Sequence, residues 1–169
     1  GHGAHVHSAG LLEGGRAVTD DGLSVMAARG LDTSGHLSRC ISPAMLSAAD
    51  LILGMTRDHV REAVLLVPLV WPRTFTLKEL VRRGRAVGPR PGGMALRGWL
   101  DLVGRGRERG DLLGDSPADD VADPVGQGRD AYQRTADELD GLTRQLAALV
   151  WARCAPASAT TVRGVIPCP

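Results

Sequence analysis

The sequence predicts an α/β fold, because short apolar stretches lead directly into amphipathic helices. The clearest case lies in residues 49–67, where the apolar run from Leu51 to Met55 is short enough for a buried strand and too short for a core helix. Thr56 follows at the N-cap position of a helix, and Asp58 lies in its first turn, where a carboxylate suits the helix dipole. A strand that leads into a helix is the repeating unit of α/β folds.

The composition indicates one soluble domain. The chain has 169 residues, a hydrophobic share of 43% and a formal net charge of +1. This balance gives no sign of binding to nucleic acid or to a membrane surface, and no apolar run reaches the length of a membrane span. We therefore expect a cytoplasmic protein with a domain at 1–151. Residues 152–169 are small, proline-containing and aperiodic, which predicts a disordered tail.

The histidines and cysteines do not form a metal-binding pattern. The cysteines are odd in number and contain no Cys-x-x-Cys pair, and the histidines near the first residue lack a further cluster of ligands. We therefore expect neither a metal nor a cofactor. The residues concerned are Cys40, Cys154, Cys168, His2, His5 and His7.

Local signals predict the elements before this strand–helix unit. Thr19 is placed to cap a helix that ends near Gly30, a residue suited to the left-handed position after a helix. Ser42 followed by Pro43 gives an N-cap and a proline at the first helical position. The predicted elements are a strand at 5–8, a helix at 19–29, a loop at 31–42 and a short helix from Pro43 to Ala49.

The strongest local signal after this unit is a capping box. Thr76 and Glu79 have the spacing of its two partners, and Phe75 and Leu80 are placed as a hydrophobic staple. Apolar residues at spacings of three and four predict a long amphipathic helix near the end of the domain. The predicted elements are a strand at 68–71, helices at 77–84 and 94–105, loops at 85–93 and 104–122, and the long helix at 128–151.

Five segments stand in order over residues 6–150. They are Ser8–Gly10, GLDTSGHLSR at 30–39, ADLILGMTRDHV at 49–60, RTFTLKEL at 73–80 and DVADPVG at 120–126, followed by Tyr132. Together they closely resemble the low-molecular-weight protein-tyrosine phosphatase family. The resemblance implies a flavodoxin-like, three-layer αβα fold with a four-stranded parallel sheet in the order 2-1-3-4. In that sheet the predicted strands at 5–8, 51–55 and 68–71 take the second, third and fourth places.

The resemblance also implies an activity and a set of site residues. The family hydrolyses phosphotyrosine through a phosphocysteine intermediate, with a Cys-x5-Arg phosphate loop between the first strand and the first helix. By motif match, Asp123 occupies the position of the general acid that protonates the leaving phenolate. Ser34, His36 and Ser38 belong to the segment that lies under the phosphate loop and helps to hold it. The implied substrate is a phosphotyrosine protein or a small phosphomonoester.

The sequence departs from the family at the nucleophile. No cysteine of the printed sequence is followed by arginine six residues later, and the family's phosphate loop precedes Ser8. We therefore expect the first strand and the first helix to be absent and the chain alone to be inactive. The acid motif continues with Val125 and Gly126, as in bacterial members, where eukaryotic members carry aromatic residues.

Three interpretations remain open. The first is a phosphatase whose catalytic loop is encoded upstream, favoured by the retained Asp-Pro motif and by a first residue that is not methionine. The second is a non-catalytic relative that binds a partner or a phosphopeptide. The third is an arsenate reductase on the same scaffold, which needs the same cysteine and further thiols. In each case the edge of the strand at 51–55 either pairs directly with the strand at 5–8 or is filled by another segment or chain.

Overall fold

The computed structural model describes residues 4–151, which form a three-layer α/β fold with a short parallel sheet. The predicted tail at 152–169 lies outside the described residues. The helices are α1 (Asp20–Ala27), α2 (Pro43–Ala48), α3 (Arg57–Leu66), α4 (Leu77–Val87), α5 (Leu96–Val103) and α6 (Arg129–Trp151). The strands are β1 (Ile52–Gly54) and β2 (Thr74–Thr76), and 3-10 helices span Pro68–Arg73 and Arg109–Leu112.

The sheet separates two layers of helices. Leu51, Leu53 and Met55 pack against the core formed with α4, α5 and α6, whereas Ile52 packs on the opposite side against Leu46 and its neighbours. Such alternation follows from strand geometry, in which successive side chains point to opposite faces. The larger core is built around side chains from four elements. They are Phe75, Leu77, Leu80, Val81, Trp99, Leu100, Val103, Leu146, Leu149 and Val150.

The predicted helix starts are confirmed by side-chain caps. The Oγ1 atom of Thr56 accepts the backbone N–H of His59 at 3.3 Å, which fixes the passage from β1 into α3. Thr19, Ser42 and Thr76 cap α1, α2 and α4 in the same way. The long amphipathic helix is confirmed as α6. These starts depend on contacts three residues apart, so the local sequence is sufficient to specify them.

The capping box at the start of α4 is half formed. Thr76 accepts the backbone N–H of Glu79 at 3.1 Å, and the staple residues Phe75 and Leu80 are completely buried. The carboxylate of Glu79 does not complete the box, because it binds Arg107 and Arg83 instead. A distant arginine thus replaces the local backbone partner that the spacing predicted.

Helix α4 runs three residues beyond its predicted end at Gly84 and stops before Gly88, which has a φ of 95°. Gly84 lies inside the helix because its missing side chain lets α4 pack closely on its neighbours. A Cβ atom there would lie 3.0 Å from Leu149 and 3.1 Å from the ring of Trp99. The loop predicted at 85–93 is correspondingly shorter.

The strand predicted at 68–71 is wrong. Residues Pro68–Arg73 form a 3-10 helix, and the strand follows it as β2, which pairs in parallel with β1 from Ile52 opposite Thr74 to Gly54 opposite Thr76. Pro68 and Pro72 lack the backbone N–H that a strand ladder needs. The Thr-Phe-Thr segment has β-branched and aromatic side chains, and all three are buried.

The strand predicted at 5–8 is also wrong, as is its direct pairing with β1. Residues 4–9 form no ladder and are exposed, and the first bridge joins Gly10 to Cys40 in parallel. Within residues 4–151, β2 is the strand that pairs with β1, and no strand lies along the other edge of β1. Residues 5–8 lack an adjacent strand in the described chain, so their backbone groups have no ladder to join.

Candidate active site

The segment that carries Asp123 lies at the carboxyl end of β1. We call residues 113–128 the acid loop. The backbone N–H of Val121 donates to the carbonyl oxygen of Met55 at 2.8 Å, directly after β1, and the side chain of Val121 is buried. In open α/β sheets, ligands bind beyond the carboxyl ends of the strands. The acid loop therefore occupies the position at which this fold class places its chemistry.

Asp119 anchors the acid loop through two arginines. Its carboxylate accepts hydrogen bonds from Arg57 at 2.8 Å and from Arg82 at 2.7 Å, and its side chain is 8% exposed. Burial raises the pKa of this carboxyl, but hydrogen bonds from Arg82 and Arg57 and their charges outweigh it, so the pKa of Asp119 lies below its ordinary value. The loop is thereby tied to α3 and α4.

Asp120 and Lys78 provide a second anchor. The Asp120 carboxylate accepts the backbone N–H of Arg57 at 2.7 Å, at the start of α3, and the backbone N–H of Ser116 at 2.8 Å. Lys78 Nζ donates to the carbonyl oxygen of Asp120 at 2.7 Å and pairs with Glu138 of α6 at 2.6 Å. A carboxylate at a helix start is favoured by the free N–H groups there.

Asp123 is exposed at the tip of this anchored loop. Its Oδ1 atom accepts the backbone N–H of Val125 at 3.0 Å, and Gln127 donates to its carbonyl oxygen at 2.6 Å, which together form a tight turn. A cavity of about 220 Å³ lies beside the turn and is bounded by Arg134 and Thr135 of α6. The carboxyl is thus held at a defined place and is open to a reactant.

The three predicted supporting residues lie in a different segment. Ser38 Oγ accepts the backbone N–H of Arg16 at 3.1 Å and donates to the carbonyl oxygen of Glu13 at 3.4 Å. Ser34 Oγ donates to Asp32 at 2.7 Å. His36 is exposed.

The hydrogen bonds of this segment stay within it. The side-chain and backbone hydrogen bonds from Ser34 lower the pKa of Asp32. In the described chain, the hydrogen bonds of Ser34, His36 and Ser38 stay within residues 13–38. The structure does not bring these three residues together with Asp123, and their role stays a prediction.

The described residues contain no group of three or more histidine, cysteine or carboxylate side chains arranged to hold a metal ion. Cys40 is an exposed free thiol. Among residues 4–151, no helix combines the length and the apolar character needed to cross a membrane.

Residues 1–86 match the family described as low molecular weight phosphotyrosine protein phosphatase. The chain belongs to this family. The match covers half of the chain and includes the strand–helix unit around β1, whereas Asp123 lies beyond it.

Known members of the low-molecular-weight phosphatase family share the fold. The protein-arginine-phosphatase of Bacillus subtilis (strain 168) is 28% identical over 112 residues, which are 66% of this chain and 53% of that protein. The chain thus spans about half the length of this relative. A low-molecular-weight protein tyrosine phosphatase from T. tengcongensis is 27% identical, with a TM-score of 0.58 over 83% of this chain and 74% of that one. An arginine phosphatase from Geobacillus stearothermophilus is 25% identical, with a TM-score of 0.59 over 83% and 70%.

Sequence reasoning about this phosphatase-like domain missed the anchor of the acid loop. Asp119 and Asp120 lie four and three residues before Asp123 of the Asp-Pro motif, and this acidic pair was the available signal. Their partners could not be read from the sequence, because Arg57 and Arg82 lie 62 and 37 residues away from Asp119. Only the fold brings these charges together.

Replacing Asp119 with asparagine is expected to lower the free energy of unfolding by about 1.5–3 kcal/mol near neutral pH, because hydrogen bonds to two charged groups lose their anionic acceptor. The pKa of Asp119 is lowered in the folded state, so the stabilisation is present above the unfolded value of about 3.9 and is lost as pH falls through the folded pKa. Urea unfolding at several pH values measures the difference. A difference between the two proteins that does not shrink below about pH 4 would contradict this account.

Proposed function

We propose that this chain provides the general acid and the framework of a phosphatase site, and that it hydrolyses phosphorylated protein side chains together with a cysteine-bearing phosphate loop. The observation that carries the proposal is Asp123, an exposed carboxyl on an Asp-Pro turn that is anchored at the carboxyl end of β1. A cytoplasmic location, with phosphoproteins or small phosphomonoesters as substrates, belongs to the same proposal.

The chemistry requires a nucleophile, an acid, and donors that hold the phosphoryl oxygens. A thiolate attacks phosphorus, the bond from phosphorus to the leaving atom breaks, and an acid protonates that atom, which is the phenolic oxygen of tyrosine or a guanidinium nitrogen of arginine. Backbone N–H groups at a helix start and a bidentate arginine stabilise the thiolate and the phosphoryl oxygens. Water then attacks the phosphorus of the phosphocysteine, and the same carboxylate accepts a proton from this water. The bond from phosphorus to sulfur breaks, which releases inorganic phosphate and restores the thiolate. Asp123 takes the acid and base roles in this scheme.

The nucleophile must come from a strand–loop–helix unit. The 169-residue sequence contains no Cys-x5-Arg motif. The free edge of β1 is the place for such a unit, since a parallel strand there would direct its following loop toward the same end of the sheet as the acid loop. We infer that residues 4–151 form the acid-bearing part of the site and have no activity without that loop.

Two phosphorylated side chains are candidate substrates. Phosphotyrosine follows from the family, and phosphoarginine is favoured by the two relatives that are named arginine phosphatases. Val125 and Gly126 follow the Asp-Pro turn and provide no aromatic ring for a tyrosine, and Val125 is 62% exposed. Hydrolysis of matched phosphotyrosine and phosphoarginine peptides by the protein with its phosphate loop distinguishes the two.

A second candidate function is phosphopeptide binding without cleavage. Adding a Cys-x5-Arg phosphate loop to the chain distinguishes this function from catalysis. A catalytic domain gains turnover from the loop, whereas a binding domain gains affinity alone.

The 169-residue chain alone is expected to hydrolyse p-nitrophenyl phosphate no faster than its Asp123→Ala variant, because an acid without a nucleophile has no covalent step to assist. Release of p-nitrophenolate, followed by absorbance, measures this. A clear rate that depends on Asp123 would show that the chain holds its own nucleophile and would refute the proposed division of the site.

A further inference from the structure

A second and larger cavity lies between α4, the acid loop and α6. It has a volume of about 490 Å³ and is bounded by α4, by Pro117 and Ala118 of the acid loop, and by Leu142 and Gln145 of α6. This volume is in the range of sites for small ligands. The residues that bound it differ from those of the cavity beside Asp123.

One helix face gives this cavity a positive charge. Lys78, Arg82 and Arg85 line it and follow one another along α4 at spacings of four and three, which places them on the same side of the helix. No carboxylate is among the lining residues. A concave surface lined by charges of one sign concentrates the opposite ion.

The nearby carboxylates balance these cations only in part. Asp119 is shared between Arg82 and Arg57, and Glu138 pairs with Lys78. Arg85 has no carboxylate partner within residues 4–151, and its guanidinium donates only to the amide of Gln145, at 3.4 Å. Arg82 is 55% exposed and keeps donors free for a ligand.

We propose that this cavity binds a phosphate group, either free or carried by a small organic molecule. Two guanidinium groups and one ammonium provide the hydrogen-bond donors and the positive charge that a phosphate dianion needs. Val81 and Leu142 provide an apolar wall for an organic group attached to the phosphate. The site stands apart from the proposed catalytic chemistry, since none of its lining residues takes part in that scheme.

The cavity is linked to the acid loop through two of its own cations. Lys78 holds the carbonyl oxygen of Asp120 and the carboxylate of Glu138, and Glu138 also bounds the cavity beside Asp123. Arg82 holds Asp119. A phosphate that binds these cations competes with the contacts that anchor the loop, so its binding changes the environment of Asp123.

Titration of the 169-residue chain with inorganic phosphate, followed by backbone amide resonances at constant ionic strength set with chloride, tests the site. We expect saturable shifts in residues 78–85, 117–119 and 142–145, and also in residues 122–127 because of the link. Arg82→Gln combined with Arg85→Gln is expected to weaken binding about tenfold or more. Arg144→Gln, an exposed residue of α6 paired with Asp140, is the matched control and is expected to leave binding unchanged.

The outcomes test three points in turn: whether the cavity binds phosphate, whether its binding affects the acid loop, and whether the ligand is free phosphate or a phosphate ester. Shifts that do not saturate, or that are lost in Arg134→Gln and kept in the Arg82 and Arg85 variant, would overturn the site. Saturable shifts without a response in residues 122–127 would overturn the link. Phenylphosphonate is the second probe, and tighter binding than phosphate would assign the cavity to phosphate esters, whereas equal binding would assign it to free phosphate.

Discussion

Replacing Arg107 with methionine is expected to lower the free energy of unfolding by about 3–5 kcal/mol, because it leaves the buried Glu79 carboxylate without its main partner. The Arg107 side chain is 3% exposed, and its Nε and Nη2 atoms donate to Glu79 at 2.7 and 3.1 Å. Nη2 also donates to the carbonyl oxygen of Thr74 at 2.8 Å. The guanidinium lies 4.0 Å from the ring centre of Trp71 and 3.9 Å from that of Phe75.

Two control variants test whether the loss of stability in Arg107→Met comes from the unpaired buried charge. Arg107→Met combined with Glu79→Leu removes both charges and is expected to cost less than Arg107→Met alone. Arg144→Gln breaks an exposed pair in which Arg144 is 79% exposed, and is expected to leave the free energy of unfolding nearly unchanged. Equilibrium unfolding in urea measures all three. A loss for Arg107→Met as small as that for Arg144→Gln would refute the structural role of this arginine.

The second large effect concerns Asp123 in a protein with a complete site. In a chimera that carries the first strand, Cys-x5-Arg loop and first helix of a family member before residue 4, Asp123→Asn is expected to lower kcat about 100- to 10,000-fold. KM is expected to change little, because the lost interaction belongs to the transition state. Steady-state hydrolysis of phenyl phosphate measures both constants. Asp115→Asn, an exposed acid at the start of the same loop, is the matched control and is expected to retain the rate.

The local part of this fold could be predicted from the sequence. The caps at Thr19, Ser42, Thr56 and Thr76 and the stripe of α6 depend on residues three or four positions apart. The strand at β1 was recognisable because its apolar run is short and ends at a capping threonine. Such signals lie within a single element, so they do not depend on how the elements pack.

The remaining features depend on tertiary contacts. The end of α4 at Gly88 could not be predicted, because Gly84 fits inside the helix only where Trp99 and Leu149 approach it. The Glu79 carboxylate binds Arg107, which is 28 residues away, and does not make the predicted capping contact. Residues 5–8 have strand-like composition, yet they form no ladder because no neighbouring strand is present in the described chain.

The candidate site also has one part that the sequence predicted and another part that only the folded chain shows. The Asp-Pro motif marked Asp123 from the sequence, because a carboxylate before proline at this place resembles the family's acid. Its anchoring by Asp119, Arg57 and Arg82 needed the folded chain. The role of Ser34, His36 and Ser38 beneath a phosphate loop remains a prediction.

The dependence of the Asp123→Asn effect on the leaving group tests the central claim most directly. In the chimera with the restored phosphate loop, kcat/KM is measured for p-nitrophenyl phosphate and for phenyl phosphate, with and without the substitution. Phenolate is the poorer leaving group and needs protonation more, so we expect the substitution to slow phenyl phosphate by a clearly larger factor. An equal loss with both substrates would mean that Asp123 supports the structure of the loop and does not donate the proton.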